Sequence, residues 1–390
     1  MRVTERYQRS RLPLDEVKRA IDAAAERGVN VISFTGGEPL LTLKDLTMMM
    51  QYAGRAGITF IRTGTNGYVF MNSQRADFQD RVERVAEALA ATPLRNFWIS
   101  IDSAVPAVHE AMRGLPGVIR GIERSLPVFH KYGIYPSANL GINRKVGGSE
   151  IGTPDGSSGD RQGGGSGNTF YQGFKSAFEK FYDFVIGLGF TTVNSCYPIS
   201  IQTDKEADHL KATYAANSQD RAVRFSRSEK ALLLKALLDT VPAFRSRIRI
   251  FSPTISLYAL HRQYTDHPER PYPCLGGVDF FYINAGDGNT YPCGYRGNGC
   301  LGKYWDIDWA GLADAGTCLA CDWECFRDPS EFFGPILQGL RNPLKLVRRI
   351  QRDRDYFRLW INDLRYFRAC DLFDGRKPPD YARLKSFRRG

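Results

Sequence analysis

An α/β fold of parallel βα units is predicted by three observations. Short apolar runs alternate with amphipathic helical stretches over the first two hundred residues, and the connections between them are short. With 43% hydrophobic and 24% charged residues, the 390-residue chain can bury a large core. Its length fits two or three domains, or one large barrel with an appendage. This composition excludes a mostly disordered chain, a collagen-like chain and a small disulfide scaffold.

The elements follow in order. Residues 15–27 read as a helix, with Val17, Ile21 and Ala24 at i, i+4 and i+7 and Gly28 as the stop. Residues 29–35 are a buried strand running straight into Gly36-Gly37-Glu38-Pro39. Residues 43–56 form a second helix between Thr42 as N-cap and Gly57 as C-cap. The strand at 58–63 leads to Thr65-Asn66-Gly67. Then come a helix at 76–91, a strand at 96–102, a helix at 118–132, a strand at 134–143, a helix at 170–188 and a strand at 191–199.

Residues 146–168 break this rhythm with nine glycines in 23 positions, the composition of a loop. The loop should leave the C-terminal rim of the sheet, either as a lid over a site or as a surface insertion. A mixed connector is expected over 204–272, with a helix at 228–238 and a strand within 247–256.

Charge and cysteine are unevenly spread. Lys and Arg number 53 against 42 Asp and Glu, a net charge of +11, and residues 341–390 alone hold 15 basic and 6 acidic side chains. The tail from 335 reads as helical and basic. Leu340, Leu344, Val347 and Ile350, then Phe357, Ile361 and Leu364, form an apolar stripe interrupted near Asp353. The expected arrangement is a solvated helix docked through its Leu340, Leu344 and Val347 face. The alternative is contact of 341–390 with an anionic surface. Asp353, Asp355 and Asp363 interrupt the arginines and no nucleic-acid motif accompanies them, so no nucleic-acid partner is expected. No apolar run approaches the roughly 18–20 residues of a membrane span. The first residues are polar and charged with no secretory apolar region, so a cytoplasmic location is expected. In that setting six clustered cysteines, Cys274, Cys293, Cys300, Cys318, Cys321 and Cys325, favour metal ligation over disulfides.

The string most specific for chemistry is Ser33 to Leu41, which contains Gly36-Gly37-Glu38-Pro39. Two glycines at a strand end let a ligand approach the backbone. Glu38 offers a carboxylate to a cation such as an amino group. Pro39 fixes the turn and removes a donor. Asn66 follows the next strand and Ser100-Ile101-Asp102 ends the one after, so polar groups should share one rim. For Asn66 plain turn chemistry is the competing reading, and for Asp102 a helix cap or turn.

This pattern resembles the radical S-adenosylmethionine (radical SAM) superfamily over residues 15–200. The resemblance implies a partial (β/α)6 TIM-like barrel in residues 1–203. It implies that the Gly-Gly-Glu-Pro turn holds the methionine amino group of SAM, which assigns Gly36, Gly37, Glu38 and Pro39. It points to Ser100 and Asp102 for the ribose or carboxylate, with Asn139 and Asn143 as secondary positions and Asn66 beside them. The family holds its catalytic [4Fe-4S] cluster with Cys-x3-Cys-x2-Cys after the first strand. Here 35 residues precede Gly36 and none is Cys. Strand and motif are therefore both expected to be missing through an N-terminal truncation, with a genuine short form as the alternative. As written, the chain is not expected to cleave SAM unless such a motif exists upstream.

Residues 273–334 resemble the SPASM/Twitch extension of radical SAM enzymes. Cys274, Gly288 and Cys293 fit Cys-x13-Gly-x4-Cys, followed by Cys300 and by Cys318-x2-Cys321-x3-Cys325. The resemblance implies at least one auxiliary [4Fe-4S] cluster, with Cys300 the least certain ligand. A zinc site is the alternative. Cys196 either faces a substrate or is a buried free thiol. By resemblance, a complete enzyme would take an electron from an external one-electron reductant and cleave SAM to a 5′-deoxyadenosyl radical. It would then abstract hydrogen from a peptide or small molecule. A non-catalytic scaffold binding a peptide or SAM, or a zinc-binding adaptor, is the competing class.

Overall fold

The computed structural model describes residues 10–153, 165–198, 220–312 and 318–388. Its centre is a six-stranded, all-parallel sheet in sequence order: β1 (Val31–Phe34), β2 (Phe60–Thr65), β3 (Leu94–Ser100), β4 (Ser137–Gly141), β5 (Thr192–Cys196) and β6 (Arg249–Ile250). The helices before and between them are α1 (Leu14–Glu26), α2 (Leu43–Arg55), α3 (Phe78–Ala90), α4 (Pro106–Arg113), α5 (Val118–Lys131), α6 (Gly165–Leu188) and α7 (Arg227–Phe244). Each βα unit sends the chain back to the same end of the sheet, so every strand points its C-terminus at one rim.

The two faces of the sheet have opposite chemistry. Ile61, Phe97, Ile99, Ala138, Leu140, Val193 and Ile250 are buried toward the helices. The alternate positions carry Arg62, Asn96, Trp98, Ser100, Ser137, Asn139, Thr192, Asn194 and Cys196, aligned by the register Arg62↔Asn96, Ser100↔Asn139 and Asn139↔Asn194. Side chains alternate across a strand, so this second set shares one concave, polar face. Gly64 belongs to it because the Trp98 indole lies across it, and a Cβ there would meet Nε1 at 2.1 Å.

The strand expected within 247–256 is present as β6, only two residues long and starting on a buried arginine. Two expectations need correction. Helix α4 was not anticipated; it is short and opens on Pro106 at its first turn, yet it supplies His109 and Arg113. Helix α6 begins at Gly165, inside the glycine-rich stretch. Residues 154–164 of that expected loop lie outside the described residues.

Beyond the sheet come α8 (Thr254–Tyr264) and a two-stranded antiparallel ribbon of β7 (Tyr282–Ile283) and β8 (Thr290–Tyr291). The remaining helices are α9 (Glu324–Arg341), α10 (Pro343–Arg352), α11 (Arg354–Ala369) and α12 (Tyr381–Leu384). The ribbon region leans on the outer side of α1. Lys303 Nζ donates to Glu16 Oε2 at 2.7 Å, and Arg27 stacks 3.5 Å from the centre of Trp309. Helix α9 is tied to the sheet through Tyr197, whose hydroxyl meets the Asp328 carboxylate.

The tail does not pack on the body through the expected Leu340, Leu344 and Val347 face. Leu340 is 79% exposed, Leu344 72% and Val347 50%. The stripe does not lie on one helix: Asn342, at φ −153° and ψ 84°, ends α9 and restarts the turn in α10. Phe357 is buried and Leu364 packs beside it, so only the second half of the predicted stripe joins a core. Among the described residues no helix is long and apolar enough to cross a membrane.

Candidate functional site

The rim begins at the turn after β1. Gly36 and Gly37 are exposed, and Gly36 sits at φ +115°, a region that side chains resist. Glu38 does not present a free carboxylate. Oε1 accepts from Thr65 Oγ1 at 2.7 Å and from the Leu40 amide at 3.2 Å, and Oε2 accepts from the Asn66 amide at 2.7 Å. Burial raises its pKa despite these bonds. Glu38 therefore clamps the turn to the end of β2 and leaves the glycine backbone as the ligand-facing surface. Pro39 opens a 3-10 turn behind it. Asn66 bonds the Tyr68 amide through Oδ1 at 2.8 Å, the turn chemistry weighed for it.

The next two predicted residues are internal ties. Asp102 is buried and pairs with Arg113 of α4 through both guanidinium edges, one bond measuring 2.9 Å and the other joining Nε to Oδ2. Burial would raise its pKa, but the Arg113 charge and hydrogen bonds outweigh it and hold the carboxyl below its usual value. The Asp102 amide donates to His109 Nδ1 at 3.0 Å. Burial holds the His109 imidazole down at about 4, against the pull of Asp102. Asn143 donates to the carbonyls of Asp102 and Gly141 at 2.8 Å each and accepts from Lys145 at 2.7 Å. Asp102 and Asn143 thus stitch the ends of β3 and β4 together. Ser100 and Asn139 instead face the concavity. Asn139 accepts from Asn194 at 2.9 Å and donates to the Cys196 sulfur at 3.3 Å.

The concave face holds residues that the motif search missed. Arg62, Asn96, Trp98, Ser137, Asn139, Thr192, Asn194 and Phe251 line a small pocket. The Arg62 guanidinium lies 5.5 Å from the ring centres of both Trp98 and Phe251. Among the described residues it makes no hydrogen bond or ion pair. Burial lowers its pKa, partly countered by Cys325, Cys196 and Glu324 nearby. Those three groups gather over it. The Cys325 sulfur lies 3.5 Å from Glu324 Oε1, and burial pushes the Glu324 carboxyl up to about 7. Cys196 is half-buried and Cys325 reaches solvent, yet protein crowds both enough to raise their thiol pKa values well above normal. The signal in the sequence was polar residues at every second position of β2 to β5. A parallel sheet covered on both faces by helices should instead read as continuous apolar runs.

The thiols divide into two groups. Cys274, Cys293, Cys318 and Cys321 line one small pocket with Arg296, Trp323 and Phe326. Cys274 and Cys318 face each other across a backbone bridge of 2.9 Å. The amide two residues on donates to the sulfur at Cys274 (from Gly276, 3.4 Å) and at Cys293 (from Tyr295, 3.4 Å), and Trp323 does the same for Cys321. Burial nevertheless raises the Cys293 thiol to about 11. Cys274 and Cys293 are buried and Cys318 and Cys321 half-buried, and three of the four sulfurs, those of Cys274, Cys293 and Cys321, accept from a backbone amide. Cys300 is exposed near Tyr291, and Cys325 belongs to the Glu324 group, so neither lines this cavity. Among the described residues no three His, Cys, Asp or Glu side chains are gathered for a single ion.

Residues 2–142, which contain the rim turn and the Asp102 tie, match the model described as the radical SAM superfamily. Residues 2–142 carry a radical SAM domain. A GTP 3′,8-cyclase from Vibrio parahaemolyticus is 35% identical over 121 residues, covering 30% of this chain and 32% of the relative. A GTP 3′,8-cyclase from Alkaliphilus metalliredigens is 31% identical over 118 residues, 30% of this chain and 33% of that one. An AdoMet-dependent heme synthase from Methanosarcina barkeri is 29% identical over 120 residues, 31% of each chain. The chain thus spans about a third of the length of the curated relatives it matches. Resemblance to the radical SAM superfamily implies SAM and a [4Fe-4S] cluster as cofactors. The four-thiol cavity lies outside the matched residues.

Proposed function

We propose that these residues form the SAM- and substrate-binding part of a radical SAM oxidoreductase that removes hydrogen from a peptide or small molecule held against the polar face, and that they do not cleave SAM by themselves because they contain no Cys-x3-Cys-x2-Cys. In this reading SAM lies at the Gly36-Gly37 rim and an auxiliary [4Fe-4S] cluster lies on Cys274, Cys293, Cys318 and Cys321. The observation that carries it is one polar surface on the same side of the sheet as Ser100 and Asn139, reaching Arg62, which makes no hydrogen bond or ion pair among the described residues. A catalytic [4Fe-4S] cluster, whose ligands these residues do not include, would supply the one-electron cleavage of SAM with an external reductant. The chain does the rest. The Gly36 and Gly37 backbone receives the amino end of SAM, and Glu38 holds that turn still. Arg62, braced by Trp98 and Phe251, meets an anionic or carbonyl group of the substrate, in keeping with cyclase relatives whose name gives GTP as their substrate. Asn96 and Thr192 add hydrogen-bonding capacity to the same wall.

The test is anaerobic reconstitution followed by iron, sulfide and zinc analysis, with SAM binding measured by calorimetry and SAM cleavage measured under dithionite. Iron bound in wild type and lost on Cys274→Ser or Cys321→Ser supports the cluster. Zinc in place of iron, with no SAM binding, would establish the adaptor reading instead.

A further inference from the structure

The proposed chemistry leaves one surface unused. Phe333, Ile336 and Leu340 on α9 and Leu344, Val347 and Ile350 on α10 are all exposed. They are six of the thirteen large hydrophobic side chains exposed among the described residues, and they fall within eighteen consecutive positions. Isolated exposed apolar residues need no explanation, but a run of this density marks a contact surface. Helix α10 is anchored to the body along one side only. Leu346 packs with Tyr356 and Phe357, and Arg349 stacks 4.0 Å over Tyr272 and donates to the Arg270 carbonyl at 2.7 Å. At 100° per residue, Leu344, Val347 and Ile350 share one side of the helix, with Lys345, Arg348 and Arg352 on the other. Positions 341–352 contain five cations and no Asp or Glu. Arg341, Lys345, Arg348 and Arg352 make no ion pair among the described residues. The nearest following carboxylate, Asp353, is buried against Arg262.

We propose that the α9–α10 corner docks this protein on an anionic phospholipid bilayer, lying in the headgroup layer without spanning it. The charge pattern selects the occupant. A bilayer surface offers acyl chains to Leu340, Leu344, Val347 and Ile350 and phosphates to the flanking cations at the same time. A nucleic acid would satisfy the cations and leave the apolar stripe in water. A second copy on the same patch would set five cations against five cations, since a two-fold contact pairs a surface with itself.

The experiment is co-sedimentation of the full chain with vesicles of phosphatidylcholine alone or with about a third phosphatidylglycerol. The protein should pellet with the anionic vesicles, stay in solution with the neutral ones, and release as salt is raised. Leu344→Glu/Val347→Glu and Arg341→Gln/Lys345→Gln/Arg348→Gln/Arg352→Gln should each weaken binding by at least about tenfold. All six side chains are exposed, so both variants should melt with wild type, which separates lost docking from lost folding. Absence of pelleting with anionic vesicles overturns the proposal. So does binding unchanged by Leu344→Glu/Val347→Glu, which would be the signature of a purely electrostatic partner such as nucleic acid. A concentration-dependent dimer abolished by those two substitutions, with no vesicle binding, would assign the face to a second copy.

Discussion

The barrel rim and the cysteine module contrast in how their polar groups are spent. At the rim, Glu38, Asp102 and Asn143 all bond to their own chain, and what remains open is backbone at Gly36 and Gly37. In the module, four sulfurs border one pocket, and three of them already accept from backbone amides. The first region is preorganised by side chains to present main chain. The second is organised by main chain to present side chains. A substitution should therefore act on folding at the rim and on metal content in the module.

The largest effect should come from the module. Cys274→Ser or Cys321→Ser should abolish bound iron after reconstitution, since thiolates hold such clusters four at a time. Cys300→Ser, whose sulfur lies apart near Tyr291, should leave iron content unchanged. Equal loss in all three would erase the distinction between the two groups of thiols.

The rim should answer in stability. Asp102→Asn leaves Arg113 without its partner in a buried site and should cost about 3–5 kcal/mol in urea unfolding. Pairing it with Arg113→Gln should recover part of that loss, because the stranded charge is gone. A SAM affinity lost far out of proportion to stability would instead make Asp102 a ligand-holding group.

How much of this was legible in the sequence depends on the type of signal. Apolar runs with glycine stops placed β1 to β5 well, because burial writes itself into a run of Val, Ile and Phe. Strand β6 falls inside the stretch 247–256 where a strand was expected, but its two-residue extent was not legible, because Arg249 is held by hydrogen bonds to Thr191 and to the Asp374 and Lys377 carbonyls, far away in sequence. The cysteines were legible as a group. Their division was not, since spacing does not reveal that Cys325 turns from Cys321 toward Glu324. Arg62 was unreadable as a site residue until the alternation of Asn96, Trp98, Asn139 and Asn194 placed it on the same face.

Acid should test the rim next. His109 must stay neutral to accept from the Asp102 amide, and its folded pKa near 4 lies below the ordinary 6.5. The unfolded chain takes up this proton as pH falls through 6.5, while the folded chain does so only near 4. The stability this group contributes is therefore complete above 6.5 and lost as pH falls between those values. Between pH 7 and 5 the loss should be about 2 kcal/mol. His109→Gln should flatten that part of the curve, measured by urea unfolding at both pH values.

The smallest effect separates backbone presentation from simple tolerance. Gly36 and Gly37 both have open space where a Cβ would go, but only Gly36 has a positive φ. Gly36→Ala should cost about 1–2 kcal/mol through backbone strain alone. Gly37→Ala should be neutral in stability. If the glycine backbone is the surface a ligand approaches, Gly37→Ala should nonetheless weaken SAM binding, because the new methyl occupies the approach without disturbing the fold. Unchanged SAM affinity in Gly37→Ala would return the turn to a purely structural role and leave the concave face without its upper boundary.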